Sequence, residues 1–280
     1  MRGMSRLLSA GFSRLWKNKL FWGEMIFMFA LGVWFAIAGY QMVQTRHMQA
    51  NLDYILNGYP MIIGFICAFF CGIFGGTEYS DGTIRNKLIA GHTRCSVYLS
   101  SLVVHGAEVF LCFLSFLLAG FGLGIPLLGG FLMDGKTVVI MLVGSMVTML
   151  AYAAIFTLIS MLCQSRTTGI SVCLILFCIM FFSAMYIEQR LEEPEVFEGY
   201  TYTADSGEME RVDAEPNPNY LRGTKRKVYE FLDEFLPCCQ MYQYMMIDVS
   251  HARRMVLYSF SIMIVVTAAG IFVFRKKDVK

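Results

Sequence analysis

Apolar residues gather in six windows along this chain, near residues 20–40, 56–76, 97–124, 137–162, 168–187 and 254–274. A bilayer core of ~30 Å requires ~20 mostly apolar residues per helix, so each window is long enough to span a membrane. Ahead of the first window, Met4, Leu7, Leu8, Phe12, Leu15 and Trp16 recur at helical spacing, and Arg2, Arg6, Arg14 and Lys17 take the other face. This pattern predicts an amphipathic helix over 1–19 lying in the membrane interface, either as a simple anchor or as a lever joined to the rest of the chain. Between the second and third windows the pattern turns polar over about 78–94, where a short helix is predicted at 80–90. Residues 188–253 break the apolar pattern again, carry more acidic than basic side chains, and are punctuated by Pro194, Pro216 and Pro218. Within them Thr224 is placed to cap a helix, and Val228, Phe231, Leu232, Phe235 and Leu236 keep the i, i+3, i+4, i+7, i+8 spacing until Pro237. A short amphipathic helix is therefore expected at 224–236, as a lid over the span ends or a gate. Residues 192–215, polar and poor in periodic apolar positions, are expected to be mobile. The predicted fold is all-α: a polytopic membrane protein with six transmembrane helices, an N-terminal interfacial helix and an extracytoplasmic insertion between spans five and six.

Composition agrees. The 280 residues are 56% hydrophobic and only 16% charged, against about 25% charged in an ordinary soluble domain. A net charge of +2 with no basic patch interleaved with aromatics speaks against nucleic acid as a partner. The basic residues sort by side: Arg2, Arg6, Arg14, Lys17, Lys19, Arg85, Lys87, Arg94, Arg166, Arg275, Lys276, Lys277 and Lys280 fall together, and the two short loops opposite carry only Arg46 and Lys136. The positive-inside rule then makes both termini, the 78–94 segment and the 275–280 tail cytoplasmic, with 188–253 outside and 254–274 returning. The first window also ends near Ala36-Ile37-Ala38, a signal-peptidase pattern. Its long polar leader and its length favour a retained helix, and cleavage would leave five spans.

Of the nine cysteines, Cys67, Cys71, Cys112, Cys173 and Cys178 lie in apolar runs, as small hydrophobes do, which argues against a disulfide framework. Cys67 and Cys71 share a helical face, but no polar residues stand near to support a metal. The adjacent Cys238 and Cys239 are expected outside the membrane, in either redox state, and open to an impermeant thiol reagent. Small residues one turn apart, Gly32 and Ala36, Gly72 and Gly76, and Gly120 and Gly124, mark faces for close helix packing, within the chain or at a subunit interface.

No GxxxxGK[ST], HExxH or GxSxG motif occurs, so the chain is neither a P-loop ATPase nor a familiar hydrolase. Two titratable residues in the third window, His105 and Glu108, are candidates by default, because ionisable groups are costly in lipid. Three readings stand for them: an interhelical hydrogen bond, a contact on a translocation path, or a metal or catalytic dyad. A single pair supplies too few metal ligands, and no resident metal is expected. Glu24, near the start of the first window, is expected to reach the interface or pair with a nearby Lys or Arg.

The run Glu78-Tyr79-Ser80-Asp81-Gly82-Thr83-Ile84-Arg85-Asn86-Lys87-Leu88-Ile89, with Gly91, Arg94 and Tyr98-Leu99-Ser100, resembles the type-2 ABC transporter permeases of bacteria. The later run Asn217-Pro218-Asn219-Tyr220, then 223–232 and Leu236-Pro237, is similar to the same family's outer segment. Where that family often shows Pro-Thr-Gly-Gln, this chain has Pro237-Cys238-Cys239-Gln240. The resemblance implies a multi-pass permease subunit in the bacterial cytoplasmic membrane, with a coupling helix between spans two and three. It implies as partners a separate ATP-binding cassette subunit, which carries ATP and Mg, and a second permease copy or paralogue. Glu78, Asp81, Thr83, Ile84, Arg85, Lys87 and Leu88 would be the coupling residues, and His105 and Glu108 candidates for the translocation path. Local chemistry fits: Asp81 lies near a helix start, Arg85 and Lys87 nearer its end, and Ile84 and Leu88 share a face. The plainer alternative is a charged loop that only fixes orientation. The resulting expectation is an exporter subunit without catalytic residues, whose nearly charge-free spans suit an amphipathic or lipid-like compound or peptide antibiotic. Its rivals are a membrane sensor or scaffold with an outer ligand-binding segment, and a membrane-embedded enzyme using His105 and Glu108.

Overall fold

A computed structural model describes residues 2–46, 51–202, 209–248 and 250–277. The chain runs α1 (Arg2–Lys17), α2 (Lys19–Arg46), α3 (Asp53–Leu56), α4 (Pro60–Ser80), α5 (Thr83–Ile89), α6 (Arg94–Leu128), α7 (Gly135–Leu162) and α8 (Arg166–Glu192). Strands β1 (Val196–Tyr202) and β2 (Met209–Pro216) follow, then α9 (Gly223–Phe235), α10 (Pro237–Met245) and α11 (Ala252–Lys276). Six helical stretches are long and apolar enough to cross a membrane: α2, α3–α4 together, α6, α7, α8 and α11. They match the six windows of the sequence. At ~1.5 Å per residue the 35 residues of α6 reach ~52 Å, longer than a bilayer core of ~30 Å requires.

Local chemistry sets the breaks. Gly82, at φ 66°, takes the left-handed turn that ends α4 and opens α5. The Thr93 hydroxyl accepts the Ser96 amide at 3.2 Å to start α6, and Ser165 accepts that of Thr168 at 3.1 Å to start α8. Proline at the first turn starts α4 and α10, where its missing N–H costs nothing.

In the bundle α2 packs along α6, α4 along α8 and α7, and α7 along α11. The small residues sit at these seams. A Cβ on Gly32 would lie 2.5 Å from the Phe116 carbonyl oxygen, and one on Gly76 would lie 2.6 Å from the Arg166 Cα. Gly72 faces the Ile170 backbone in the same manner, and Gly120 and Gly124 face Ile55. These faces are consumed inside the chain, so the subunit-interface reading of the glycine pairs is withdrawn. Side chains turned outward are apolar, such as Ile175, Ile179 and Phe182 on α8 and Leu257, Ile264 and Val265 on α11. That inversion is stable only where the surroundings are lipid.

Helix α1 keeps the predicted bounds to within two residues; on its apolar face Leu7 and Leu15 are turned onto protein, and Trp16 is exposed. Leu7 packs with Ile84, Tyr98 and Phe274, and Leu15 with Phe70, Phe74 and Val104. The side chain of Arg2, assigned to its polar face, lies outside the described residues, as do those of Arg46 and Lys280. Helix α1 and the last residues described after α11 lie at the same end of the bundle as α5, because Leu7 clusters with Ile84 there and Lys277 bonds the last carbonyls of α7.

The segment between α8 and α11 departs from expectation in two ways. Part of the stretch expected to be mobile forms an antiparallel pair, Tyr202 opposite Met209 and Phe197 opposite Glu215, with an irregularity between Phe197 and Gly199. Helix α9 lies within one residue of its predicted bounds, but Pro237, read as a stop, is the first residue of α10. Helix α10 is sunk among α4, α7 and α8. Gln240 anchors it: its Oε1 accepts from Thr148 Oγ1 at 2.8 Å and Ser259 Oγ at 2.5 Å, and its Nε2 donates to the carbonyls of Glu234 and Met255. Cys238 and Cys239 are therefore buried and unpaired thiols, correcting their expected exposure; Tyr152 Oη donates to Cys238 Sγ at 2.9 Å.

Candidate functional site

The α5 end of the bundle concentrates the charged residues that the sequence singled out. Glu78, in the last turn of α4, is only 2% exposed. Its Oε1 accepts from Lys87 Nζ of α5 at 2.8 Å and from Arg14 Nη1 of α1, so one carboxylate joins three helices. Such a pair is stable in a partly buried site only because both cations are fixed by packing, and Arg14 also lies over the Phe74 ring at 5.1 Å. Glu78 and Lys87 thus face inward, toward their own chain. Ile84 is fully buried with Leu7, Val97, Tyr98, Met161 and Phe274, and Leu88 packs against the same cluster. The common face of Ile84 and Leu88 thus packs into this bundle.

The neighbouring helix ends are tied in as well. Tyr79 Oη donates to the Met161 carbonyl at 2.7 Å, and Lys277 Nζ donates to the carbonyls of Met161 and Leu162 at 2.9 and 2.8 Å. Arg94 Nη1 donates to the carbonyls of Phe274 and Lys277. Each cation satisfies carbonyls left free at the ends of α7 and α11, where the helix dipole favours positive charge. Burial draws the Lys277 ammonium below its ordinary pKa.

What faces outward is a smaller set: Asp81, Arg85, Asn86 and Ile89 are exposed, with Thr83 half-buried beside them. Ile89 is 73% exposed. An isoleucine so placed beside charged residues is a contact waiting for cover, and sequence reasoning did not assign it a role. The signal available was its spacing: it lies four residues after Arg85, and one after Leu88, on a different face from Ile84 and Leu88.

Inside the bundle, His105 and Glu108 are both fully buried but commit to different neighbours. His105 Nδ1 and Thr157 Oγ1 of α7 are 2.7 Å apart, and the imidazole meets the edges of Phe70 and Phe74 at 6.0 and 5.8 Å between centroids. This is the interhelical hydrogen bond among the three readings. Glu108 turns the other way, toward α2, and Cys112 Sγ donates to its Oε1 at 3.4 Å. Opposite it stands Glu24, which is buried and has no ion-pair partner among the described residues. The expectation that Glu24 reaches the interface or a basic residue is thereby corrected. Ligand-capable atoms of Glu24, Glu108 and Cys112 all lie within 4.8 Å of one another. Glu24 Oε1 and Oε2 and Glu108 Oε2 have no hydrogen-bond partner among the described residues. The spans thus hold a facing pair of carboxyl groups, one from α2 and one from α6, beside the Cys112 thiol.

No protein-family model matches this chain, and no curated protein matches it.

Proposed function

We propose that the protein is the transmembrane subunit of an ATP-driven exporter, coupled through α5 to a separate ATP-binding subunit that carries ATP and Mg. The observation that carries the proposal is the division of α5 into two faces. The inward face is bound to α1 and α4 by Glu78 and to α6 and α11 by the Ile84 cluster. The outward face offers Asp81, Arg85, Asn86 and Ile89. A push on such a helix cannot be absorbed locally, because the packed cluster and the shared carboxylate pass it to four other helices as rigid-body motion. A loop that only fixed orientation would need no such bracing. In this reading α5 and both termini are cytoplasmic, α9 and the β1–β2 pair lie outside, and a second permease subunit completes the pathway. ATP hydrolysis belongs to the partner; the chain contributes position, charge and a lever.

The test is isolation of the tagged chain from its native membranes in mild detergent, with mass spectrometry of what accompanies it. An ATP-binding subunit should co-purify, and Asp81→Lys combined with Arg85→Glu, or Ile89→Glu alone, should remove it while leaving the elution volume of the chain unchanged. Its absence from both preparations would overturn the proposal and leave the sensor or enzyme readings.

A further inference from the structure

We infer that the groove between the first turns of α7 and α11 binds an anionic phospholipid, with Arg253 and Lys136 on its phosphate and an acyl chain along the groove. The inference needs only that the six helices lie in a membrane, so it stands apart from the transport reading above.

The groove has a volume of about 450 Å³. Val139, Ile140 and Val143 of α7 form one wall and Val256 and Leu257 of α11 the other, with Ala252 at the start of α11. Three of these are valines and one is an alanine, side chains too short to close the space between two helices packed along each other. The walls open outward: Val139, Val143 and Leu257 are 58%, 49% and 64% exposed. Leu257 belongs to the same outward apolar row of α11 as Ile264 and Val265, a row that is stable only against lipid. What lies in the groove is therefore hydrocarbon. At ~1.5 Å per residue, residues 252–257 cover ~8 Å, room for the first methylenes of a chain that continues down α11.

Each wall is headed by a cation. Lys136, Val139, Ile140 and Val143 follow the i, i+3, i+4, i+7 spacing of one helix face, and Arg253, Val256 and Leu257 follow i, i+3, i+4. Arg253 lines the groove, is exposed, and has no ion pair among the described residues; its neighbour Arg254 is the one that binds Glu234. Lys136 is exposed as well. Each cation immediately precedes an apolar window, Lys136 that of 137–162 and Arg253 that of 254–274. A cation so placed stands at the depth of lipid headgroups, where basic side chains meet phosphate. Asp134 lies two positions ahead of Lys136, so two cations against one carboxylate leave the mouth of the groove positive.

These features select the occupant. A free phosphate ion would meet the cations and leave the apolar walls bare. A zwitterionic lipid would fill the walls but bring its own ammonium group to the cations. A phospholipid of net negative charge satisfies both ends of the groove.

The experiment is native mass spectrometry of the full chain in detergent, titrated with palmitoyl-oleoyl phosphatidylglycerol and, for comparison, with the phosphatidylcholine of the same chains. Phosphatidylglycerol should bind about twentyfold more tightly, each cation near the headgroup supplying about fivefold. Arg253→Gln should cut that preference about fivefold, Arg253→Lys should keep it, and Arg253→Gln combined with Lys136→Gln should abolish it. Val143→Trp, which fills the groove, should weaken both lipids alike. Lys136→Gln alone carries the test if Arg253→Gln fails to fold. Equal affinity of the wild type for the two lipids, or an unchanged preference in the double variant, would overturn the inference. So would displacement of phosphatidylglycerol by equimolar inorganic phosphate together with full binding by Val143→Trp, which would leave an ion site and no lipid groove.

Discussion

Asp233 shows how a single residue can set the pH response of the segment between α8 and α11. It lies on α9, where the Gln243 Nε2 donates to its Oδ2 at 2.5 Å, while Oδ1 has no partner among the described residues. Burial, and then the nearby carboxyls of Glu188, Asp248 and Glu234, push it up to about 7. The basic groups on this face, Arg254 and His251, are engaged by Glu234 at 3.0 and 3.4 Å. The folded chain therefore holds a proton that an unfolded chain, with an ordinary aspartate near ~4, has already released. Stability contributed by this group consequently falls as pH rises from about 4 to about 7, and the loss is complete above that. Melting temperatures of the detergent-solubilised protein between pH 5 and pH 8 should fall with rising pH, and Asp233→Asn should reduce that slope. An unchanged slope would assign the dependence to other groups. Burial likewise separates Glu78 from Glu24: packing makes the first a buried tie between helices and leaves the second, expected to reach the interface or a basic residue, buried inside the bundle.

Helix pairs in this protein approach by omission of side chains. Gly72 and Gly76 put the backbone of α4 against the first turns of α8, with a Cβ on Gly76 meeting backbone and not a movable side chain. Neither partner can yield cheaply, so Gly76→Val should destabilise the protein by roughly 2 kcal/mol, within the range of overpacked cores. A lowered midpoint in a thermal aggregation assay would check this, and Gly122→Val, where a Cβ meets open space, serves as the neutral comparison. The spacing of these glycines was visible in the sequence. Which neighbour they faced was not, because small-residue motifs serve contacts within and between chains equally well. Helix α10 is the counterpart at the level of a whole element. Its pattern is short and interrupted by Pro237, and its seat depends on Gln240 bonding Thr148 and Ser259, residues 92 and 19 positions away.

For the whole molecule the consequence is a bundle whose segment between α8 and α11 is partly internal. A membrane-impermeant maleimide should leave Cys238 and Cys239 unlabelled in the native protein and label both after denaturation in SDS, reversing what their place in the sequence suggests. Labelling before denaturation would show that α10 is not seated among α4, α7 and α8. The sequence by itself determined the six membrane-spanning helices, the helix ahead of them, the short helix at α5 and the amphipathic helix α9. Each of these rests on local quantities: run length, period, caps and glycine or proline at the breaks. The tertiary structure alone decided which of the charged residues at α5 face inward, that His105 bonds Thr157 while Glu108 faces Glu24, and that α10 is buried. Those outcomes depend on residues far apart in the chain meeting across the bundle. A helix tells its own face by its period, but its neighbour is chosen by packing that no local pattern encodes.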